Sequence, residues 1–250
     1  MDKKTWKMET KISDMGKKIT KHQDYIYLNE DYYNNPKETF KFIFSLIKSS
    51  YKKKIESILD FGCARGEWLH FIKKKIHVKH LVGVDYSQNL INEGKKNLNQ
   101  LNIKFYKGSA QTIKIKKKFD VIVASGLVSY FDNIDKFLNN ALNHLNSDGI
   151  LIILDNFNPY DVDVIVRYRN NMYSTKYEKG WNLHSIETIK KKLIKKNAEI
   201  IKIQKFNLSF NLKKGVDPLR SWHTKIKNKI VFTNGLSQIF DIQSIIIKKK

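Results

Sequence analysis

Short apolar runs and stretches of helical period take turns along residues 55–155. Ser57-Ile58-Leu59-Asp60-Phe61 is an apolar run ending at glycine, which predicts a buried strand, and Gly66 to Lys74 predicts a helix. Leu81-Val82-Gly83-Val84-Asp85 reads as a second strand, Asn89 to Leu101 as a helix, and Lys104-Phe105-Tyr106 as a third strand. Phe119 to Ser125 forms a fourth. Ile134 to Leu145 has amphipathic helical spacing, and Ser147-Asp148-Gly149 turns into a fifth strand, Ile150 to Leu154. Strands that are apolar throughout belong to a parallel sheet covered on both faces, so the rhythm predicts βαβ units in a doubly wound α/β fold.

The flanks depart from this rhythm. Residues 1–50 read as an N-terminal helical cap, with Pro36 at a helix start ahead of Phe40, Phe42, Ile43, Phe44, Leu46 and Ile47. Residues 155–183 are polar and aromatic without a period, as expected of a lid insertion over the open face. Ser185 to Lys196 predicts a lysine-rich helix and Glu199 to Leu212 a strand. Lys229 to Thr233, the turn Asn234-Gly235 and Ile239 to Ile247 predict extended segments in antiparallel arrangement. The expected sheet is mostly parallel with an antiparallel edge strand.

A hydrophobic content of 41% suffices for a real core, and no run of 18 apolar residues predicts a membrane span. The start, MDKKTWKMETKISDMGKK, lacks the apolar stretch of a secretory signal, and the single cysteine, Cys63, allows no internal disulfide or cysteine metal cluster. A cytoplasmic protein without a metal is the expectation. The formal charge of +23 comes almost wholly from lysine, the arginines being Arg65, Arg167, Arg169 and Arg220. Arginine is the side chain that forks onto phosphates and bases, so solvated lysine faces are favoured over a nucleic-acid footprint, which stays open as the alternative.

The chemistry concentrates in Ile58-Leu59-Asp60-Phe61-Gly62-Cys63-Ala64-Arg65-Gly66-Glu67-Trp68, a strand running through a glycine turn into a helix. Gly62 permits close backbone approach to a ligand, Gly66 permits tight packing at the helix start, and the helix N-terminus offers N–H groups to an anion. A purely structural glycine turn reads the same way. Asp85 ends the next strand, where a carboxylate accepts both hydroxyls of a ribose; the competing role is a helix N-cap, for which Ser87 is the rival. A dinucleotide fingerprint requires glycine at 62, 64 and 67, but the chain has Ala64 and Glu67, and Glu67 repels a pyrophosphate. The turn suits a nucleoside joined to an amino acid.

At these residues the chain resembles the class I adenosylmethionine-dependent methyltransferases, over about residues 55–155. Asp60, Gly62 and Gly66 match that family's D/E-x-G-x-G-x-G turn, while Ala64 replaces the middle glycine. The resemblance implies a Rossmann-like fold with S-adenosyl-L-methionine as cofactor, cradled from Gly62 through Cys63 and Ala64 to Gly66, with Trp68 close by. It further implies Asp85 on the ribose and Tyr86 beside the adenine. Gly108-Ser109-Ala110 stands where the family often has G-D-A, so Ser109 replaces the usual adenine-amino acceptor and backbone is the other source of that contact. Ser125 to Leu127 would lie near the sulfonium, and Leu145 to Leu151 resembles the family's L-x-P-G-G-x-L turn.

The same resemblance puts acceptor contacts in the cap and after the fourth and fifth strands, with insertions at about 155–185 and 212–240 of a methyltransferase domain spanning 51–250. Tyr130 and His184 are the candidate catalytic residues; packing for Tyr130, and capping of the helix near Ser185 for His184, are the bland alternatives. Candidate acceptor-binding residues are His22, Tyr25, Tyr160, Arg167, Tyr168 and Trp181, with Asp155 and Asn156 beside them. Arg167 and Arg169 suit either an acidic acceptor group or surface pairing. His223 is a weaker base candidate, and Asp217 to Trp222 suggests a lid or partner contact. Asn158-Pro159-Tyr160 resembles an amino-methylation motif but follows the fifth strand rather than the fourth. The expected function is methylation of a small molecule, such as a sugar or other metabolite hydroxyl or amine. The alternatives are an RNA or protein methyltransferase using the lysine surface, and a non-catalytic cofactor-binding protein.

Overall fold

The computed structural model describes residues 22–171, 176–215 and 217–250. They fall into two units, the larger of Asp31–Asn207 with Asp241–Lys250, the smaller including Leu208–Phe240 and the first helix, α1 (His22–Asn29).

In the larger unit the predicted alternation is present: α2 (Glu38–Ser50), β1 (Ser57–Phe61), α3 (Glu67–Lys75), β2 (His80–Asp85), α4 (Gln88–Asn97), β3 (Ile103–Lys107), β4 (Phe119–Ser125), α5 (Asp135–His144) and β5 (Leu145–Asn158). The short strands β6 (Arg167–Tyr168), β7 (Glu178–Lys179) and β8 (His184–Ser185) follow. Then come α6 (Ile186–Ile194), β9 (Ala198–Lys205) and, from the end of the chain, β12 (Ile242–Lys249). The sheet order is β3-β2-β1-β4-β5-β12-β9, with β8 joining the end of β5. β1 to β5 are mutually parallel, whereas β12 runs antiparallel to both β5 and β9. The antiparallel strand therefore lies one place in from the edge, with β9 outermost. Its run Ile245-Ile246-Ile247 is fully buried, and an edge position would leave it half-wet.

Apolar strands buried on both faces need helices on both. On one face α5 and α6 supply Phe137, Leu138, Ala141, Ile189 and Leu193 to a cluster with Leu59, Phe61, Ile122, Ile153 and Ile245. On the other, α2, α3 and α4 bring Ile43, Leu46, Ile47, Leu69, Ile72 and Ile91 against Ile58, Val121, Val123, Ile152 and Ile246. The expected N-terminal cap is thus divided, α2 belonging to the core of the larger unit and α1 to the smaller one.

The smaller unit carries a hairpin, β10 (Trp222–Ile226) and β11 (Lys229–Thr233), closed by Lys227 and Asn228 with Lys227 at φ 52°. The Asn234-Gly235 dipeptide is not a hairpin turn; it follows β11, where the Gly235 N–H donates to the Pro218 carbonyl at 2.7 Å. β12 accordingly pairs with β5 and β9 rather than with β11, and the strand predicted over Glu199–Leu212 stops at Lys205.

Gly83 marks how tightly β2 lies under the first turn: a Cβ there would sit 2.7 Å from the Cys63 Sγ and 3.0 Å from Leu69. Gly83→Ala is expected to destabilise the fold by about 1–3 kcal/mol through overpacking. The added substitution Cys63→Ala should recover part of that loss, and strict additivity of the two in denaturant titrations would contradict the contact.

Candidate cofactor and acceptor site

The turn after β1 is bonded onto the end of β2. The N–H groups of Gly62 and Cys63 both donate to the Val84 carbonyl, at 2.8 and 3.1 Å. Gly62, Ala64 and Gly66 all have left-handed φ, at 75°, 49° and 78°. Gly66 must also lack a side chain, because a Cβ would fall 2.6 Å from the Phe105 ring. Ala64 pays for its missing glycine with a left-handed cost of roughly 1 kcal/mol. Asp85 braces the turn: its carboxylate accepts the Ala64 N–H and the Ser87 N–H, each at 2.9 Å. Ser87, not Asp85, caps α4, its hydroxyl accepting the Leu90 N–H at 3.3 Å. The N-cap alternative for Asp85 is thereby removed.

Three carboxylates converge on the turn. Asp60 is buried at the end of β1, and among the described residues no hydrogen bond reaches its carboxyl group. Burial first, then the charges of Asp85 and Glu67, push its pKa well above the usual carboxylate range. Glu67 is buried too but paired: its side chain accepts from Arg65 Nε at 2.9 Å and from the Arg65 N–H at 3.0 Å. Tyr33 completes this brace, donating its hydroxyl to the Arg65 carbonyl at 2.7 Å with the guanidinium 5.2 Å over its ring. Burial pushes the Tyr33 phenol up to about 12, so it remains a donor. Tyr33 was not singled out in the sequence; among twelve tyrosines nothing local distinguishes it.

The other expected cofactor residues separate into two groups. Cys63 and Trp68 turn their side chains into the core beneath the turn, the Cys63 thiol pushed up chiefly by burial and the Trp68 indole nitrogen buried without a hydrogen-bond partner. Ala110 is likewise a core residue. Ser109 spends its hydroxyl on a local turn, accepting the Gln111 N–H at 3.2 Å, while Gly108 donates to the Asp85 carbonyl at 2.8 Å. Tyr86 is exposed beside Asp85. Ser125 ends β4, and the next residues bring Leu127 to within 3.2 Å of the place a Gly62 Cβ would occupy. Leu127 thus packs against the left-handed Gly62.

The acceptor candidates come together only in part. Tyr130, Trp181 and Tyr168 form an aromatic group, with ring centroids 5.9 Å apart for Tyr130–Trp181 and 5.5 Å for Trp181–Tyr168. The insertion is anchored on the turn after β4: Asp132 pairs with Arg167 at 2.8 Å and Lys179 at 2.6 Å, and Asn182 donates to the Phe131 carbonyl. Arg167 is therefore committed to Asp132, and Arg169 lies over the Tyr177 ring. His184 is buried on β8, Nε2 lying 3.1 Å from the Val128 carbonyl, and Ser185 caps α6 in its place. Beside it Asp155, buried, accepts the N–H groups of Ser129 and Asn156; burial raises its pKa against those bonds and the His184 charge. Tyr160 is exposed and joins none of these. His22 and Tyr25 lie on α1, where their side chains fall outside the described residues. His223 stacks on Phe232 and accepts the Leu212 N–H through Nδ1 at 2.8 Å, which is a structural role.

A parallel sheet with this strand order, a glycine turn after β1 and an acid at the end of β2 defines the α/β fold of class I methyltransferases. Residues 58–149 match a family model described as a methyltransferase domain. A malonyl-(acyl-carrier protein) O-methyltransferase of Bacillus cereus is 25% identical over 122 residues, 48% of this chain and 45% of that one. A ubiquinone biosynthesis O-methyltransferase of Pelagibacter ubique is 34% identical over 110 residues, 43% of this chain and 45% of the relative. The chain thus spans about half the length of these curated relatives. Among solved structures, an S-adenosylmethionine-dependent methyltransferase from Clostridium acetobutylicum superposes with a TM-score of 0.59 at 16% identity, covering 90% of this chain and 94% of that one. Among the described residues no helix is long and apolar enough to cross a membrane.

Replacing Ala64 by glycine should relieve the left-handed strain and stabilise the larger unit by about 0.5–1 kcal/mol in thermal or denaturant unfolding. A loss of stability would show that the alanine methyl is packed to advantage.

Proposed function

We propose that the chain is an S-adenosyl-L-methionine-dependent methyltransferase acting on a small molecule, with the turn Gly62–Gly66 and Asp85 as its cofactor site. The observation that carries this is the buried, unbonded carboxyl of Asp60 beneath a left-handed turn braced by Asp85. A cluster of acids repels a pyrophosphate and welcomes a cation, which separates adenosylmethionine, with its ammonium and sulfonium, from a dinucleotide. When bound, the cofactor supplies a methyl group already activated on a sulfonium. Asp60 would receive the ammonium, Gly62 admits the ligand because it lacks a side chain, and Asp85 accepts the ribose hydroxyls with the second lone pairs of its oxygens.

On the acceptor side, Tyr130 with Trp181 and Tyr168 offers an aromatic wall, which suits a ring-bearing acceptor such as a sugar or another cyclic metabolite. Both curated relatives are named as O-methyltransferases, which supports an oxygen nucleophile here. His184 and Asp155 hold the Val128–Tyr130 turn from below, so we assign His184 to positioning that turn and Tyr130 to the acceptor.

The first test is calorimetric titration with adenosylmethionine, adenosylhomocysteine and NAD. Binding of the first two without the third is expected, and Asp85→Ala should weaken it at least tenfold, a loss of about 1.4 kcal/mol. Unchanged affinity in that variant would remove the ribose assignment. The raised pKa of Asp60 gives a further signature. Burial raises the Asp60 pKa and a bound ammonium would favour its ionised form, so binding should release a proton and weaken as pH falls through the raised pKa of the free carboxyl. Asp60→Asn should abolish that dependence; its persistence in the variant would place the titrating group elsewhere.

A further inference from the structure

The tip of the β10–β11 hairpin belongs to the smaller unit and takes no part in the cofactor turn. From Leu208 to Phe240 the sequence has five lysines and one arginine against a single carboxylate, Asp217. Arg220 is paired with Glu30, and Lys214 lies over the Trp222 ring, 5.0 Å from its centroid. The remaining charge gathers at the hairpin end, Lys225-Ile226-Lys227-Asn228-Lys229-Ile230, where all six residues are exposed. Among the described residues Lys225, Lys227 and Lys229 meet no carboxylate. Ile226 and Ile230 are 49% and 61% exposed, so the segment is apolar as well as cationic.

Strand register decides what such a surface fits. Lys225 stands opposite Ile230, and Ile226 opposite Lys229. Residues directly opposite share a face of the ribbon and neighbours along a strand alternate, so the two isoleucines project from opposite faces, each beside a lysine. A folded partner docking on one face would leave the other isoleucine in water. A nucleic acid would meet the lysines, but the six residues include no arginine for base edges and no aromatic ring for stacking. The interfacial zone of a bilayer surrounds an inserted tip on all sides. There isoleucines on both faces are buried together, while lysines snorkel to anionic headgroups.

We infer that the Lys225–Ile230 tip docks this protein on an anionic lipid surface. Each lysine held near such a surface contributes roughly fivefold to partitioning, and the contribution shrinks as salt screens it.

The test is co-sedimentation of the full chain with vesicles of phosphatidylcholine alone or mixed with phosphatidylserine. Binding is expected to the mixed vesicles only, to fall with salt, and to drop at least tenfold in K225E/K227E/K229E and in I226S/I230S. In parallel, the wild-type chain is titrated with a single-stranded ribo-oligonucleotide. A K227C variant carrying an environment-sensitive fluorophore reads insertion with the isoleucines in place, and its emission should shift to the blue on mixed vesicles. Failure to bind the mixed vesicles, equal binding to both kinds, no blue shift, or retention of binding by I226S/I230S would each overturn the inference. Tighter binding to the oligonucleotide than to the vesicles would overturn it in favour of nucleic acid.

Discussion

The carboxyl edge of the sheet depends on the bonding of one turn to the end of one strand. The Val84 carbonyl takes two N–H groups of the β1 turn, and the Asp85 carboxylate takes the N–H of Ala64 on one side and of Ser87 on the other. Three left-handed residues within five positions would not persist alone, since the alanine among them costs roughly 1 kcal/mol. A hydrogen bond from a backbone N–H to a charged carboxylate contributes about 1.5–3 kcal/mol, enough to offset it. Asp85 therefore shapes the turn before it meets any ligand, and the turn in turn fixes where the Asp60 carboxyl lies.

That fixed geometry has an electrostatic consequence. Asp60 and Glu67 are both buried, Asp60 feels the charges of Asp85 and Glu67, and of the two buried acids Glu67 is the one paired, with Arg65 under the Tyr33 ring. Burial without a compensating partner disfavours the charged form of the Asp60 carboxyl, and burial leads the causes of its raised pKa. A ligand that brings positive charge reverses this balance; one that brings phosphate worsens it. In the proposed function the acids of the turn, beside its glycines, would separate a cationic ribose-bearing cofactor from a phosphate-bearing one.

Much of this was legible in the sequence because it is local. Asp60, Gly62, Gly66 and Asp85 lie at the ends of two apolar strands whose spacing fixes the turn. Cys63 and Trp68 pack their side chains into the core beneath the turn, an orientation set by the turn's conformation and not by the spacing of its residues. Glu67 was read as a bare charge because its partner is a backbone-braced arginine two residues away, a pairing that depends on the turn geometry. The hairpin went to Asn234-Gly235 on turn propensity, whereas the register is set by Trp222 to Ile226 pairing with Lys229 to Thr233 through Lys227-Asn228. Strand β12 could be recognised as a strand, but its place between β5 and β9 could not, because strand order is a tertiary property.

The acceptor side was least legible, and its construction explains why. Tyr130, Tyr168 and Trp181 lie beside Asp132, which holds Arg167 and Lys179, cross-strand partners on β6 and β7. These partners are separated by dozens of residues and carry no spacing signature. Asp132 is over a third exposed, and its carboxyl is held below the usual range chiefly by the Lys179 hydrogen bond. Ion pairs of that kind are screened by salt and contribute little each. The cofactor turn is held by backbone bonds inside the core, the aromatic wall largely by side chains at the surface. Substitutions in the insertion can therefore reshape the proposed acceptor wall without disturbing the sheet, so a shared fold constrains the acceptor only weakly.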